Sequence, residues 1–387
     1  MRRMRTALLA PFGLRAKGTA RARVLPLGRA LARRGQTVAI FVPPYDSVED
    51  AGQRWRDGGV EVVHTNLPRG PQSAPWHWLL AWQLYITAAR WRPDVVHAFK
   101  PKGPSGLAAA MWWTRRRGER PRLVVDSDDW EGFGGWNDHP GVDYSIGQKR
   151  FFAWQEKFGL SHADAWTVTS ACLAERAAGF GAPRERVFIL HNGVDAAPAG
   201  GGGAADDKTV LLYTRFAGVR PDDVADIWQR VRQAEPAARL LVVGRGAQDE
   251  ERELAELPGV EVAGWLEADA LATAVRRATL AMAPWADTAA NRARHSAKVL
   301  ELMVAGVPLV AYRVGELAVT PGEAGVLVEP GRADAFGEAV VGLLRDPERR
   351  TALAEAGRAR VRAHFTWDAL AEVALAAYRG ASSGSAG

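Results

Sequence analysis

Short apolar runs bounded by glycine, proline and polar residues recur along the chain, and stretches of helical periodicity separate them. In the first half, runs at 5–12, 37–42, 60–65, 95–98, 123–125, 165–170 and 186–190 read as strands. Helical patterns cover 20–34, 76–91, 148–160 and 170–179. Pro26 falls inside the first of these and should kink it or displace its start, because it removes a backbone donor and clashes with the preceding turn. In the second half, strands are expected at 210–213, 238–243, 260–263, 280–285, 307–312 and 325–328. Helices are expected at 222–234, 268–278, 296–305 and 333–344, with a last one from 366 to about 378. Segment 286–295 is polar, lacks a period and reads as a loop. Strands alternating with helices predict parallel sheets, hence an α/β chain of two Rossmann-like domains.

The boundary between the two series is a composition change. Residues 196–208 are rich in alanine and glycine, including Gly200 to Gly203 in succession, and read as a flexible linker. The division is therefore 1–195, a linker at 196–208, 209–365, a last helix at 366–379 and a small, polar tail at 380–387 that is expected to be disordered. A chain of 387 residues is too long for one ordinary core, which agrees with two domains.

Composition narrows the classes of function. A hydrophobic content of 47% with 24% charged residues describes a water-soluble globular protein. No run approaches the roughly 18 unbroken apolar residues of a spanning helix. Residues 1–18 mimic a signal peptide, but a glycine-bearing loop follows at once without a small-residue cleavage site, so a first buried strand is the better reading. Cys172 is the only cysteine, which rules out an intrachain disulfide and fits a reducing, cytoplasmic setting. The net charge of +6 and pI of about 9.6 suit nucleic acid, an anionic membrane or anionic ligands. No helix-turn-helix, zinc or RNA-binding signature is present, so nucleic acid is not expected as a partner. Trp76, Trp78, Trp82, Tyr85 and Trp91 lie on one expected helix. Such aromatics fill cores, and those facing outward would offer a peripheral contact for an inner membrane face or a lipid acceptor.

The chemistry concentrates in 278–316. Ser296 is placed to cap a helix that opens at a strand end, and Gly306 to close it. Such a helix start presents free N–H groups and a positive dipole end. Lys298, in the first turn, works against that dipole and would be relieved by a bound phosphate. Glu301, a turn further on, could reach a ribose; alone, the two residues also read as an ordinary surface pair. Asp126-Ser127-Asp128 forms a DxD triplet followed by Asp129. Carboxylates so spaced could hold Mg²⁺ or Mn²⁺ on a diphosphate, position acceptor hydroxyls, act as a base, or line a polar loop.

The run Ser296, Lys298, Glu301, Ala305, Gly306, Pro308, Val310 resembles the nucleotide-sugar signature of GT-B glycosyltransferases of the family 4 type. Many members carry a further glutamate where this chain has Ala293. The resemblance extends over nearly the whole chain and implies two Rossmann-like domains facing each other across a cleft, with the last helix packing back on the first domain. It implies transfer of a sugar from a nucleotide-diphosphate-sugar donor to a glycan, lipid-linked or small-molecule acceptor, with retention of anomeric configuration. Gly18, Arg215, Gly244, Ser296, Lys298, Val299, Leu300 and Glu301 fall on the donor side, and Gly264-Trp265-Leu266 lies where relatives place the base. Lys298 and Arg215 with the helix start would stabilise the departing diphosphate, so neither metal nor cofactor is required. His97, Asp126, Asp128 and Asp129 are expected as catalytic groups on the acceptor side, with Lys100 and Lys102 beside them. A GT-B epimerase and a non-catalytic nucleotide-sugar-binding protein are the rival readings.

Overall fold

The computed structural model describes residues 3–15, 18–139, 141–195 and 208–380. All but the last residue of the expected linker, and all but Gly380 of the expected tail, therefore lie outside the described residues. The described residues form two compact units, one drawn from 1–138, 144–193 and 367 onward, the other from 139–143 and 194–366.

The first unit is built from β1 (Arg5–Leu9), α1 (Leu25–Arg33), β2 (Thr37–Val42), β3 (Arg54–Asp57), β4 (Val60–His64), α2 (Ala74–Arg90), β5 (Val95–Phe99), α3 (Gly103–Trp113), β6 (Arg122–Ser127), α4 (Ile146–Ser161), β7 (Ala165–Val168), α5 (Ala171–Gly179) and β8 (Val187–Ile189). Its sheet runs β3-β4-β2-β1-β5-β6-β7-β8. Every pairing is parallel except that of β3 with β4. Ala7, Leu8 and Leu9 are completely enclosed, as are Ala39 and Ile40, because helices cover both faces of a parallel sheet and leave no polar side to alternate.

The second unit contains β9 (Thr209–Tyr213), α6 (Pro221–Ala234), β10 (Arg239–Val243), β11 (Val260–Gly264), α7 (Ala268–Arg277), β12 (Leu280–Ala283), α8 (Ala289–Ala293), α9 (Ala297–Ala305), β13 (Leu309–Tyr312), β14 (Gly325–Val328), α10 (Ala333–Arg345) and α11 (Pro347–His364). Its parallel sheet has the order β11-β10-β9-β12-β13-β14. The last helix, α12 (Trp367–Arg379), returns to the first unit. There Leu370, Ala374, Leu375 and Tyr378 join the core formed by Leu27, Leu31 and Phe188. Arg33 and Arg34 of α1 pair with Asp368 and Glu372.

Several local expectations change. Pro26 does displace a helix start: a π-helical turn at Ala20–Val24 precedes α1, and the proline sits in the first turn of α1, where its missing N–H costs little. Segment 286–295 is not all loop, since Thr288 accepts the Asn291 N–H at 3.2 Å and caps α8. The strand expected at 123–125 extends to Ser127, which places Asp126 within the sheet. The charged edge strand β3 and the sparsely apolar α11 carry too little hydrophobic pattern to read from sequence.

In each sheet the chain order reverses at one point, between β1 and β5 in the first unit and between β9 and β12 in the second. Ligands of open α/β sheets bind outside the carboxyl ends of the strands at such a point.

Candidate functional site

In the second unit, β9 ends at Tyr213 and is followed by Thr214 and Arg215. Beside it, β10 ends at Gly244, whose φ of +118° suits glycine alone. A Cβ there would lie 1.7 Å from the Thr214 carbonyl oxygen, so the close approach of the two strand ends requires a residue without a side chain. Arg215 is exposed, with its guanidinium 5.4 Å from the Trp265 ring, itself 47% exposed after β11.

Helix α9 opens at the same edge. Ser296 precedes it with extended backbone, but its side chain makes no capping hydrogen bond, which corrects the expected cap. Gly306 closes the helix in the left-handed region at φ +76°, as anticipated. Val299 and Leu300 are buried in the core; the backbone N–H of Val299, in the first turn, is available to a ligand, whereas that of Leu300 closes the first helical turn. Lys298 is half-buried, its ammonium 5.3 Å from the Tyr213 ring centre. Burial, and next the charge of Arg215, lower its pKa to about 8, against the pull of Glu301. Glu301 is exposed and accepts the Tyr213 hydroxyl, whose own pKa is raised by burial and by that carboxylate. Arg294 stacks 3.8 Å over Trp285 and adds to the positive field at Lys298. Ala293 is fully enclosed, and Gly315 approaches the Arg292 backbone so closely that a Cβ would meet it at 2.6 Å. Tyr213 and Arg294 were not anticipated; being a strand's last residue was the one signal Tyr213 carried.

In the first unit, Gly18 accepts the N–H groups of Arg21 and Ala22 and packs against Phe12, where a Cβ would fall 2.6 Å from the ring. Thr19 donates to Asp128 at 2.6 Å. Arg23, 1% exposed, donates to both oxygens of Asp126 at 2.8 and 2.6 Å and to the carbonyls of Leu190 and His191. Asp126 also accepts the Thr167 hydroxyl at 2.6 Å. That hydroxyl has one proton and gives it to the carboxylate, so it must accept from His97 Nε2 at 2.9 Å. Nδ1 of His97 then accepts the Tyr378 hydroxyl at 2.8 Å. Burial, and after it the charge of Arg23, hold His97 well below its ordinary pKa, which keeps the ring neutral and this order of protons intact.

His97 and Asp126 are thus completely enclosed and fully bonded within the unit. Both form part of the frame that holds the strand ends. Arg23, Thr167 and Tyr378 complete that frame, and no local spacing announced them.

Asp128 and Asp129 lie at the rim of the β6 end. With Glu131 they offer carboxylate oxygens within 4.8 Å of one another, a spacing that fits a divalent cation. The Lys100 ammonium already stands among them, 3.4 Å from Asp128, 3.0 Å from Asp129 and 2.8 Å from Glu131. Burial alone would depress Lys100, yet these carboxylates raise it well above its usual value. Lys102 pairs with Glu131 at 2.7 Å. Both lysines expected to face anionic groups are therefore neutralised by their own neighbours. The DxD triplet does not present two carboxylates to one ion, because Asp126 is turned to Arg23 and Asp128 to Lys100 and Thr19.

Two parallel Rossmann-like sheets, each with polar groups gathered at the carboxyl ends beside its switch point, are the architecture of GT-B glycosyltransferases. The fold is similar to that of sucrose-phosphate synthase from Thermosynechococcus elongatus, with a TM-score of 0.69 at 22% identity over 98% of this chain and 99% of that one. It is also similar to Anabaena Alr3699/HepE, solved with UDP and glucose, with a TM-score of 0.66 at 15% identity over 97% and 100% of the two chains. In sequence, residues 18–193 match the glycosyl transferase 4-like domain and residues 207–346 match glycosyl transferases group 1. A phosphatidyl-myo-inositol mannosyltransferase of Mycobacterium leprae is 24% identical over 97% of this chain and 96% of its own length. The chain belongs to the GT-B glycosyltransferases of the GT4 type, and it is a transferase enzyme. Among the described residues, no helix is long and apolar enough to cross a membrane.

Proposed function

We propose that this glycosyltransferase uses a nucleotide-diphosphate-sugar donor, holds that donor on the second unit, and transfers the sugar with retention of configuration and without a metal. The observation that carries the reading is the state of Lys298. Its ammonium is half-buried beside Arg215 and Arg294 at the start of α9, and its lowered pKa marks a site short of negative charge. A diphosphate between Lys298, Arg215 and the N–H group of Val299 would supply it, and the same cations would stabilise the charge that develops on that diphosphate as the sugar leaves. Glu301, held by Tyr213 yet exposed, is placed to accept ribose hydroxyls. Trp265 offers an exposed face for the base. That Alr3699/HepE was solved with UDP and glucose supports the donor class.

On the first unit, Asp128 and Asp129 are the carboxylates left at the strand rim to orient an acceptor hydroxyl. Lys100 holds them in place, and the Asp126–Arg23 pair fixes the strand beneath. The acceptor is a glycan, a lipid-linked sugar or a small molecule. The exposed side of α2, with Trp78 48%, Leu79 53% and Trp82 51% accessible, favours a peripheral contact with a membrane carrying such a lipid.

Product analysis with radiolabelled nucleotide sugars tests the reading. Free nucleoside diphosphate together with a labelled acceptor supports it. An isomerised donor would point to the epimerase, and tight donor binding without turnover to a non-catalytic binder.

A further inference from the structure

At the amino-terminal edge of the first sheet, the end away from Lys100 and Asp128, lies a cavity of about 660 Å³. Its lining is Arg3, Arg5, Thr37, Arg90, Trp91 and Arg92. The register explains the gathering: Arg5 pairs with Thr37, and Thr6 with Val95 just past the turn that carries Arg92. The starts of three adjacent strands therefore meet the end of α2. Arg5 is built into this wall. Its guanidinium lies 4.0 Å from the Trp91 ring and donates to the carbonyls of Trp91 at 2.6 Å and Arg92 at 3.2 Å.

Four of the six residues that line the cavity are arginines. Several arginines elsewhere in the unit are matched with acids, as in Arg29–Asp57, Arg33–Asp368 and Arg120–Asp164. Among the described residues none of the four cavity arginines forms an ion pair with a carboxylate. Asp94, close by, accepts the backbone N–H of Arg5 at 2.8 Å. The dipole of α2 explains a cation at Arg90 and the capping by Arg5. It does not explain Arg3, or Arg92, which takes a left-handed conformation at φ +53°.

We propose that this cavity is a second anion site, separate from the donor site, that takes a phosphate-bearing polyanion. Guanidinium forks match phosphate oxygens in pairs, and four unneutralised charges around one concavity call for a multivalent ligand. The same chemistry could be presented by a free polyphosphate or by the headgroup of an anionic phospholipid. With β1 only five residues long, the site lies about 16 Å along the strands from the edge proposed for acceptors.

The test uses the full chain and two probes, inorganic tripolyphosphate by titration calorimetry at low salt, and sedimentation with phosphatidylcholine vesicles with or without phosphatidic acid. The variant is Arg3→Ala/Arg90→Ala, both exposed positions, with Arg92→Gly as a second. Arg116→Ala/Arg117→Ala is the charge-matched control, and Lys298→Ala reports binding at the donor site. Tripolyphosphate binding should weaken about tenfold or more in the Arg3/Arg90 variant, as expected for losing charged hydrogen bonds, and persist in the Lys298 variant and the control. Binding of the soluble probe alone assigns a free anion. Additional sedimentation that needs phosphatidic acid and Arg3/Arg90 assigns a lipid headgroup. Failure of both probes to bind, or losses that follow Lys298 or the control instead, would overturn the site.

Discussion

Replacing Lys298 with methionine should separate the donor site from the stability of the fold. In the free protein, burial and Arg215 lower the lysine pKa from 10.5 to about 8. A depressed pKa on a base means that folding penalises its charged form. At about 1.4 kcal/mol per unit the full shift corresponds to about 3 kcal/mol, and the partial exposure of the side chain reduces this to about 1–2 kcal/mol. The sign follows from linkage. Below pH 8 the group is charged whether folded or unfolded, so the penalty is present in full; it fades as pH rises from 8 toward 10.5. At pH 7, Lys298→Met keeps the volume, removes the charge and should leave the ligand-free protein as stable as wild type or more so. The gain is about 1–2 kcal/mol, or roughly 2–8 °C in the melting of the second unit. Nucleoside diphosphates should behave oppositely. At a hundredfold excess over Kd they would stabilise wild type by about 2.7 kcal/mol and the variant hardly at all. Thermal melts of both proteins, with and without UDP, GDP and ADP, make the comparison. A variant that is less stable without ligand, or that gains as much from a nucleotide as wild type does, would refute the reasoning.

Further outcomes follow from the same geometry. Nucleoside diphosphate affinity should fall as pH rises through 8, by up to about tenfold per unit, because the protonated Lys298 is the binding form; a flat calorimetric profile from pH 7 to 9 would contradict this. Glu301→Ala should weaken donor binding by about tenfold or more through loss of a charged hydrogen bond while sparing the fold, as titration calorimetry and circular dichroism would report. Gly244→Ala should destabilise the second unit by about 3 kcal/mol or more, given the 1.7 Å approach of its Cβ to the Thr214 carbonyl, measurable by urea unfolding. Tyr378→Phe leaves the buried Nδ1 of His97 without its donor and should cost about 1–3 kcal/mol in the same assay.

Much of the fold was legible because parallel strands buried on both faces leave unbroken apolar runs. Thr37–Val42 was bounded correctly, and the end of α9 was marked by Gly306. Two elements that escaped notice had no such pattern: β3 is a charged edge, and α8 is a short helix held by one threonine cap; α3 escaped for the opposite reason, being apolar almost throughout and so without a helical period. The grouping of the residues proposed for the donor was legible in part for a related reason. Arg215, Lys298 and Glu301 follow strand ends or open a helix, so their shared edge is set by chain order. Tyr213, which holds Glu301, was marked only by its place at the end of β9, and Arg294, which bears on Lys298, lies in a segment without a period.

The carboxyl end of β6 shows how far a short motif can be trusted. Asp126-Ser127-Asp128 has the spacing of a metal-binding triplet, but β6 ends at Ser127, so Asp126 is held within the strand while Asp128 lies beyond it in different surroundings. Asp126 turns inward to Arg23, which lies 103 positions away in sequence, while Asp128 reaches the rim. Burying one carboxylate is costly unless it is paired and fully bonded, and Arg23, Thr167 and the His97–Tyr378 chain meet that demand. The inward aspartate thereby becomes the support for the outward one: it anchors the end of β6, and through Arg23 it also holds the carbonyls of Leu190 and His191. A triplet that in isolation suggests one ion site serves here as an enclosed anchor and a carboxylate at the strand rim held by Lys100 and Thr19, and only the tertiary partner of each aspartate tells the two apart.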